Sequence, residues 1–206
     1  IYLGTKTYQE AWELQKQLFE KRAEGLIEDT LVLVEHAPVY TVGRAGIAAT
    51  DAHSAAAEHA PTEIKVRKLC SVPVVEVERG GKLTFHGPGQ LVGYPIFALP
   101  HHDLRRYLRD MERILMSTLA EETMLPARPC PETLLLEPGQ LQTGVWVRDH
   151  KIASIGIAVK RWVTYHGFAL NLRTDLRYFE AVEPCGFQGS IMTTLEREMG
   201  ADANIE

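Results

Sequence analysis

The stretch RGGKLTFHGPGQL, residues 79–91, constrains the fold most, because four glycines and one proline surround a single histidine, His86. It follows the strand-like run VPVVEVE and continues into a second one, GQLVGYPIFAL. Glycine weakens strands and loses backbone entropy wherever it is ordered. Such a run is expected where the chain turns sharply or where a ligand approaches the backbone. We therefore expect a hairpin over residues 72–86 that turns at Gly80 and Gly81.

The rest of the chain predicts one α+β domain, residues 1–206, with a mixed or antiparallel sheet flanked by helices. Thr7 and Glu10 have the spacing of a capping box, and Gly25 is a plausible stop for that helix. A second helix, residues 103–122, carries an apolar stripe of Leu104, Tyr107, Leu108, Met111, Ile114, Leu115 and Leu119. Further strands are predicted for residues 30–36, 38–43, 89–99, 143–149, 151–160 and 163–172, with a turn at Asp149-His150. Short helices are predicted for 175–182 and 190–198, and a short helix or ordered loop for 50–60.

Composition excludes several classes of protein. The net charge is −5 and the basic residues are scattered, whereas proteins that bind nucleic acid usually carry a basic footprint. No apolar run approaches the roughly 20 residues that span a membrane. The three cysteines, Cys70, Cys130 and Cys185, are odd in number and form no C-x-x-C pair. We therefore expect a cytoplasmic protein without disulfides, a membrane anchor or a nucleic-acid partner.

Cys185 is the candidate nucleophile, because Gly186 and Gly189 leave room for a substrate beside it. Most free cysteines are small buried hydrophobes, and Cys70 and Cys130 fit that interpretation. A nearby cation would lower the pKa of a reactive thiol, and Lys151 is the candidate cation. Strand alternation places Lys151 on one face with Ala153 and Ile155. A solvated lysine at a strand end is the simpler interpretation of the pattern alone.

His86 and His166 each precede a glycine at a predicted strand end, which suggests a shared site. Buried histidines more often serve only to satisfy a hydrogen bond. A zinc site of His86, His166 and Cys185 is a weaker alternative, because their spacing fits no helical or knuckle pattern. The run HGPGQL lacks the lysine and hydroxyl residue of a phosphate-binding loop, so no metal, nucleotide or other cofactor is expected.

Four stretches in order, RGGKLTFHGPGQ, KIASIG, HGFALN and PCG, resemble the octanoyltransferase family, also called lipoyl(octanoyl) transferases or lipoate-protein ligase B. The similarity extends from LGTKTYQEAW to beyond PCGFQG; only the loop before GVWVRDH looks longer than usual. The resemblance implies the fold of the biotin and lipoate protein ligase catalytic domains. It also implies transfer of an octanoyl group from acyl carrier protein to a lysine of lipoyl domains. Those domains belong to 2-oxoacid dehydrogenase complexes and the glycine cleavage H protein.

The same resemblance assigns roles to residues of this chain. It makes Cys185 the nucleophile and Lys151 its partner. It draws the acyl pocket from three segments, and the predicted pocket residues are Arg79, Gly80, Gly81, Lys82, Leu83, Thr84, Phe85, His86, Ser154, Ile155, Gly156, Gly167, Phe168 and Ala169. From the residue pattern itself, His166 and Gln90 are predicted to support this pocket with polar groups.

Three other functions remain open from the sequence: an ATP-dependent ligase on the same fold, a thioester or amide hydrolase with the same Cys-Lys pair, and a binding module for carrier proteins. Acidic protein partners would favour a local basic surface. The candidates are Arg105, Arg106 and Arg109 on the second helix, or Lys160 and Arg161 at a strand end.

Overall fold

The computed structural model describes residues 1–46, 66–69, 71–130, 143–180 and 189–200. The predicted element at residues 50–60 and the side chain of Cys70 lie outside these ranges. The strands are β1 (Tyr2–Lys6), β2 (Thr30–His36), β3 (Val39–Val42), β4 (Val66–Leu69), β5 (Val72–Glu76), β6 (Leu83–His86), β7 (Gln90–Ile96), β8 (Ala127–Pro129), β9 (Gly144–Val147), β10 (His150–Lys160) and β11 (Val163–Asn171). The α-helices are α1 (Tyr8–Ala23), α2 (Leu104–Thr123), α3 (Arg177–Glu180) and α4 (Leu195–Met199), and a 3₁₀ turn covers Gly189–Ile191.

Within the described residues, the strands form one sheet of seven and one of four. The larger sheet has the order β1-β2-β7-β11-β10-β9-β8, and the smaller has the order β4-β5-β3-β6. Most pairs are antiparallel; β1 with β2 and β3 with β5 are parallel. The expected α+β architecture with a mixed sheet is therefore confirmed.

The predicted hairpin over residues 72–86 is wrong in its pairing. β5 and β6 both exist, but β3 lies between them, parallel to β5 and antiparallel to β6. The glycine run therefore bridges across a third strand instead of making a tight turn. Hydrogen bonds hold this connection to the segment after β3, from the Gly43 N–H to the Lys82 carbonyl (3.0 Å) and from the Ala45 N–H to the Gly81 carbonyl (3.1 Å).

The first helix begins with the predicted capping box. The Thr7 N–H donates to Glu10 Oε2 (2.9 Å), and the Glu10 N–H donates to Thr7 Oγ1 (3.3 Å). Ala11 packs on the seven-stranded sheet against Val32, Val34, Val92, Tyr94 and Ala169. Tyr8 and Trp12 pack instead against Val39 and Val75 of the smaller sheet and against Val77, which follows β5. Helix α1 therefore lies where the two sheets meet.

Helix α2 covers the opposite face of the seven-stranded sheet. Its buried apolar residues form one cluster with aliphatic side chains of β9, β10 and β11, namely Val145, Val147, Ile152, Ala153, Ile155, Ile157 and Leu170. The predicted stripe was too wide, because Leu104 and Ile114 face solvent. In their place the helix buries Glu112.

Several boundaries differ by a residue or more from the predicted ones. The β9–β10 turn is formed by Arg148 and Asp149, since His150 already pairs with Val147. Residues 190–198 divide into the 3₁₀ turn and α4 instead of one helix. No helix in the described ranges is both long enough and apolar enough to cross a membrane.

Candidate active site

A pocket opens between the N-terminus of α1, the glycine run and the α1 face of the large sheet. Its cavity volume is small, about 40 Å³. The glycines at positions 80 and 81 are exposed at its rim, and Tyr8, Val92 and Tyr94 are buried at its floor. Its lining combines residues from distant parts of the chain: Tyr8, Arg79, Gly80, Gly81, Thr84, His86, Val92, Tyr94, Ser154, Ile155, Gly156, His166, Gly167, Phe168 and Ala169.

The rim is held to strand β10 at two points. The Gly80 N–H donates to the Ile157 carbonyl at 3.0 Å. A Cβ placed on Gly156 would lie 3.2 Å from both Arg79 Cδ and the Gly80 oxygen. The absence of a side chain at Gly156 therefore lets Arg79 and the glycine run approach the sheet closely.

Arg79 is buried, and its guanidinium group ties the glycine run to β3. Nη2 donates to the Thr41 carbonyl (2.7 Å) and to Thr41 Oγ1 (2.8 Å), and Nε donates to the same hydroxyl (3.2 Å). Because Thr41 Oγ1 accepts these bonds, its own hydrogen is directed to His86 Nε2, 3.4 Å away. A buried charge needs such hydrogen bonds, since its desolvation would otherwise be costly.

His86 is held from its other ring nitrogen by Gln90. The amide nitrogen of Gln90 donates to the Phe85 carbonyl and to Asn171 Oδ1, so its Oε1 accepts from His86 Nδ1 at 2.7 Å. His86 is therefore a neutral Nδ1–H tautomer. Burial, together with the neighbouring His36, lowers its pKa to about 3.

His166 lies inside strand β11 and not at its end, contrary to the predicted pattern. Its backbone is in the left-handed region, with φ of 56°, and its N–H donates to the buried side chain of Gln15 (3.0 Å). Its ring lies between the Tyr8 hydroxyl and the Glu78 carboxylate, 3.4 Å from each. Burial lowers the pKa of His166, although the contact with Glu78 opposes this shift.

A third histidine, His36, completes the polar layer beneath the pocket. Its Nδ1 donates to the Lys6 carbonyl (3.1 Å), so Nε2 accepts from the Tyr94 hydroxyl at 2.6 Å. Burial lowers the pKa of His36 to about 4 and raises the pKa of Tyr94. The histidines and tyrosines of the floor are thus neutral at pH 7, and the tyrosine hydroxyl groups are hydrogen-bonded to histidines.

Lys151 is buried, with 3% of its surface exposed, so the interpretation as a solvated strand-end lysine is wrong. The register explains how its side chain is directed. Lys151 lies opposite Trp146, whereas Ala153 lies opposite Val145, so Ile152 is an extra residue that forms a bulge. Since Trp146 and Val145 face opposite sides of the sheet, so do Lys151 and Ala153. The alternation predicted from the sequence is therefore wrong, and Lys151 shares the face of Ser154 and Gly156.

The segment that follows residues 181–188 returns to Lys151. The Thr193 N–H donates to the Lys151 carbonyl at 3.0 Å, and Met192 forms a parallel bridge with Lys151. Cys185, with Pro184 and Gly186, lies outside the described residues. Its predicted contact with Lys151 therefore stays a prediction.

Most predicted pocket residues line the one pocket, but four of the predicted or supporting residues do not. Lys82 is exposed, and Leu83 packs at the periphery of the apolar cluster that contains Phe85. Phe85 stacks on Tyr178 with ring centroids 4.4 Å apart. Gln90 contacts the pocket only through His86. Tyr8, Val92 and Tyr94 also line the pocket but were not predicted to, because their positions match ordinary helix and strand residues.

The described residues include no group of three or more histidine, cysteine or carboxylate side chains placed to hold a metal ion. Both ring nitrogens of His86 and of His166 already contact protein groups. The zinc alternative also required Cys185, which lies outside these residues.

This combination of fold and site matches a known class. A family model for the lipoyl protein ligase A/B catalytic domain matches residues 7–206, and the chain belongs to that family. Two solved structures are similar in fold. One, with bound lipoic acid, is a T. acidophilum protein assigned as a lipoate protein ligase (TM-score 0.69, 16% identity, 100% of this chain and 78% of that one). The other is lipoate-protein ligase A bound with ATP (TM-score 0.65, 15% identity, 100% and 77%).

Closer relatives narrow the class. The chain is 46% identical over 200 residues to an octanoyltransferase of Rubrobacter xylanophilus, covering 97% of this chain and 82% of the relative. It is 40% identical over 206 residues to an octanoyltransferase of Rhodococcus opacus, covering 100% and 74%. The chain is therefore a member of the octanoyltransferase family, as its four motifs predicted.

Proposed function

We propose that this protein transfers an octanoyl group from octanoyl-acyl carrier protein to the acceptor lysine of lipoyl domains, the first step of protein lipoylation. The acceptors are lipoyl domains of 2-oxoacid dehydrogenase complexes and the glycine cleavage H protein. The observation that carries the proposal is the position of Lys151, a buried cation on the same face of β10 as Ser154 and Gly156 of the pocket. Membership of the octanoyltransferase family supports the identity of the acyl group.

The proposed first step is acylation of Cys185. Its thiolate attacks the octanoyl thioester carbonyl, a new carbon–sulfur bond forms, and the bond to the carrier's phosphopantetheine sulfur breaks; the leaving thiolate takes a proton from the Lys151 ammonium group, which becomes neutral. The ammonium group of Lys151 would stabilise the attacking thiolate. In support, Met192 pairs with Lys151 only seven residues after Cys185 in the chain.

In the second step the acceptor's lysine amine attacks the Cys185 thioester. The carbon–nitrogen bond of the amide forms, the Cys185 sulfur leaves, and Lys151, neutral at this stage, takes the proton from the amine. The step from thioester to amide is downhill, so the route consumes no ATP. Backbone N–H groups of the glycine run are suitable donors for the oxyanion.

The pocket is suited to an alkyl chain that ends in a methyl group. Its floor presents Val92 and the rings of Tyr8 and Tyr94, whose hydroxyl groups are hydrogen-bonded to His166 and His36. A polar chain end would lose its water against this apolar part of the floor, which costs affinity. This favours a simple fatty acyl group.

The test is the intact-protein mass after mixing with octanoyl-acyl carrier protein, with Cys185→Ser as the matched variant. The expected result is one added octanoyl group on the wild type only, which a lipoyl domain then removes as it becomes octanoylated. No adduct, with acceptor modification that requires ATP, would identify an ATP-dependent ligase. Release of free octanoate would identify a hydrolase, and binding without covalent change would identify a binding module.

A further inference from the structure

Helix α2 buries one carboxylate in its apolar face. Glu112 is 1% exposed, although its neighbours on that face are Leu108, Met111 and Leu115. A carboxylate in such surroundings loses several kcal/mol of hydration unless it is paired and hydrogen-bonded. A leucine or methionine at this position would continue the stripe without that cost. The acidic side chain therefore needs a reason beyond packing.

Each oxygen of Glu112 has a defined partner. Oε1 accepts the N–H of Gly144 at 3.0 Å, and Oε2 accepts from Arg109 Nη1 at 2.5 Å. Arg109 is on the same helix and its side chain is 45% exposed. This pair supplies a countercharge from within α2 but links Glu112 to no other element. The contact that joins Glu112 to another element is the one with Gly144, the first residue of β9.

The end of the Lys151 side chain packs against the backbone of Gly144. A Cβ on Gly144 would lie 2.6 Å from Lys151 Cε and 3.2 Å from Lys151 Nζ. Gly144 also has a φ of 138°, which only glycine adopts easily. Whatever holds the Gly144 backbone therefore also sets where the ammonium group lies.

The two ends of Lys151 are held by different means. The β10 bulge and the Thr193 hydrogen bond hold its backbone, and Gly144 supports its ammonium end. Several charged groups lie near this part of the sheet. Lys151, Glu112 and Arg109 all act on the pKa of the Cys130 thiol, which burial raises. Glu112 and Lys151 approach Gly144 from opposite faces of the sheet, since α2 packs on the Val145 face.

We propose that Glu112 is a positioning residue for Lys151. It holds the start of β9 through the Gly144 N–H, so that the Lys151 ammonium group stays on the pocket face of the sheet. The inference rests on the proposed role of Lys151 in octanoyl transfer. It assigns a function to a buried charge on the helix face that otherwise serves only the core.

Two substitutions of Glu112 separate the effect of its side-chain length from the effect of its charge. Glu112→Gln removes the charge but keeps an oxygen that accepts the Gly144 N–H. Glu112→Asp keeps the charge but is one methylene too short to reach it. Positioning predicts that Glu112→Gln stays near the wild type, and that Glu112→Asp lowers kcat by about 10- to 100-fold with little change in KM for the carrier. Asp110→Ala is the matched control, since Asp110 also pairs with an arginine of α2, Arg113, but lies at the surface.

A second readout does not depend on catalysis. The rate at which an amine-acetylating reagent modifies Lys151 is measured by peptide mass spectrometry, with exposed Lys21 as the internal standard. Glu112→Asp should raise the Lys151 rate several-fold relative to Lys21, and Glu112→Gln should not. Thermal melts of both variants are the control for folding at the assay temperature.

The outcomes separate this inference from the proposed function. Wild-type kcat and wild-type labelling in Glu112→Asp would overturn the positioning role, as would a Glu112→Gln variant as impaired as Glu112→Asp. If the wild type itself transfers no octanoyl group, the proposed function fails, and if Lys151→Met retains full transfer activity, the proposed role of Lys151 fails. In either case the labelling rates still report whether Glu112 positions Lys151.

Discussion

The two faces of the seven-stranded sheet differ in their side chains: one is aliphatic, and the other also carries buried polar groups. The α2 face is aliphatic, with Val145, Val147, Ile155 and Ile157 packed on Leu115 and its neighbours. The α1 face carries Val92 and Tyr94 but also borders the pocket and its layer of buried histidines. Apolar burial stabilises the first face, whereas the second leaves space unfilled and buries polar groups that need partners.

This difference indicates a division between stability and function. The strands shared by the two faces, β9 to β11, are held on one side by close packing. On the other side they present Ser154 and Gly156 to the pocket, and Lys151 lies on the same face. Glu112 is the point where the packed face contributes to the functional one. The predictions below test whether the division holds.

The largest expected effect is a loss of folding stability at low pH, caused by the buried histidines His36 and His86 beneath the pocket. Burial lowers the pKa of His36 to about 4 and of His86 to about 3. Below pH 6.5 these two histidines are therefore protonated in the unfolded chain while they are still neutral in the folded protein. Their stabilising contribution is complete above pH 6.5 and is lost as the pH falls toward 4. With two such histidines, the free energy of unfolding should fall by about 2.4 kcal/mol between pH 6 and 5.

Urea unfolding at several pH values measures this slope. His86→Asn, whose amide can still donate to Gln90, should reduce the slope between pH 6 and 5 by about one proton, or about 1.4 kcal/mol per pH unit. An unchanged slope in that variant would mean that His86 does not stay neutral in the folded protein.

Leu115→Ala tests the packed face. Leu115 is buried among β9 and β10 side chains, and such truncations cost about 2–5 kcal/mol. We expect a lower free energy of unfolding in urea with unchanged kcat at temperatures where the variant is folded. A large fall in kcat with little loss of stability would contradict the division between the faces.

Tyr94→Phe tests the pocket floor with a smaller change. It removes the hydroxyl that donates to His36 Nε2 at 2.6 Å and leaves a buried acceptor without that bond, at a cost of about 1–3 kcal/mol. The ring shape is kept, so the acyl chain preference should be unchanged. A shift in the preferred chain length, measured with carrier proteins bearing 6-, 8- and 10-carbon chains, would show that the hydroxyl contacts the substrate.

The smallest effect is expected from the basic residues of the outer surface. Arg106 and Arg113 pair with Asp110, Arg109 pairs with Glu112, and Arg161 pairs with Glu20, which reduces the net positive charge of both predicted surfaces. Arg105→Glu should raise KM for the carrier by at most about fivefold at low salt and flatten its salt dependence. Lys160→Glu makes the same change at the β10–β11 end. Equal kinetics in both variants and the wild type would exclude both surfaces from carrier docking.

Much of the fold and of the candidate site was readable from the chain alone. The capping box of α1 and the periodicity of α2 depend on contacts three or four residues apart. The glycine run and the His-Gly pair at 166–167 identified segments that do meet at one pocket. Their signal is local, because glycine marks positions where something must come close to the backbone.

Only the tertiary structure decided how those segments are arranged. It placed β3 between β5 and β6, brought Tyr8 and Tyr94 beneath the glycine run, and moved Lys151 to the pocket face by one extra residue in β10. Strand order and bulges depend on hydrogen bonds between residues far apart in sequence, which short-range patterns do not specify. The sequence therefore identified which residues are candidates for the site, whereas the face and the burial of Lys151 depend on how β10 pairs with β9.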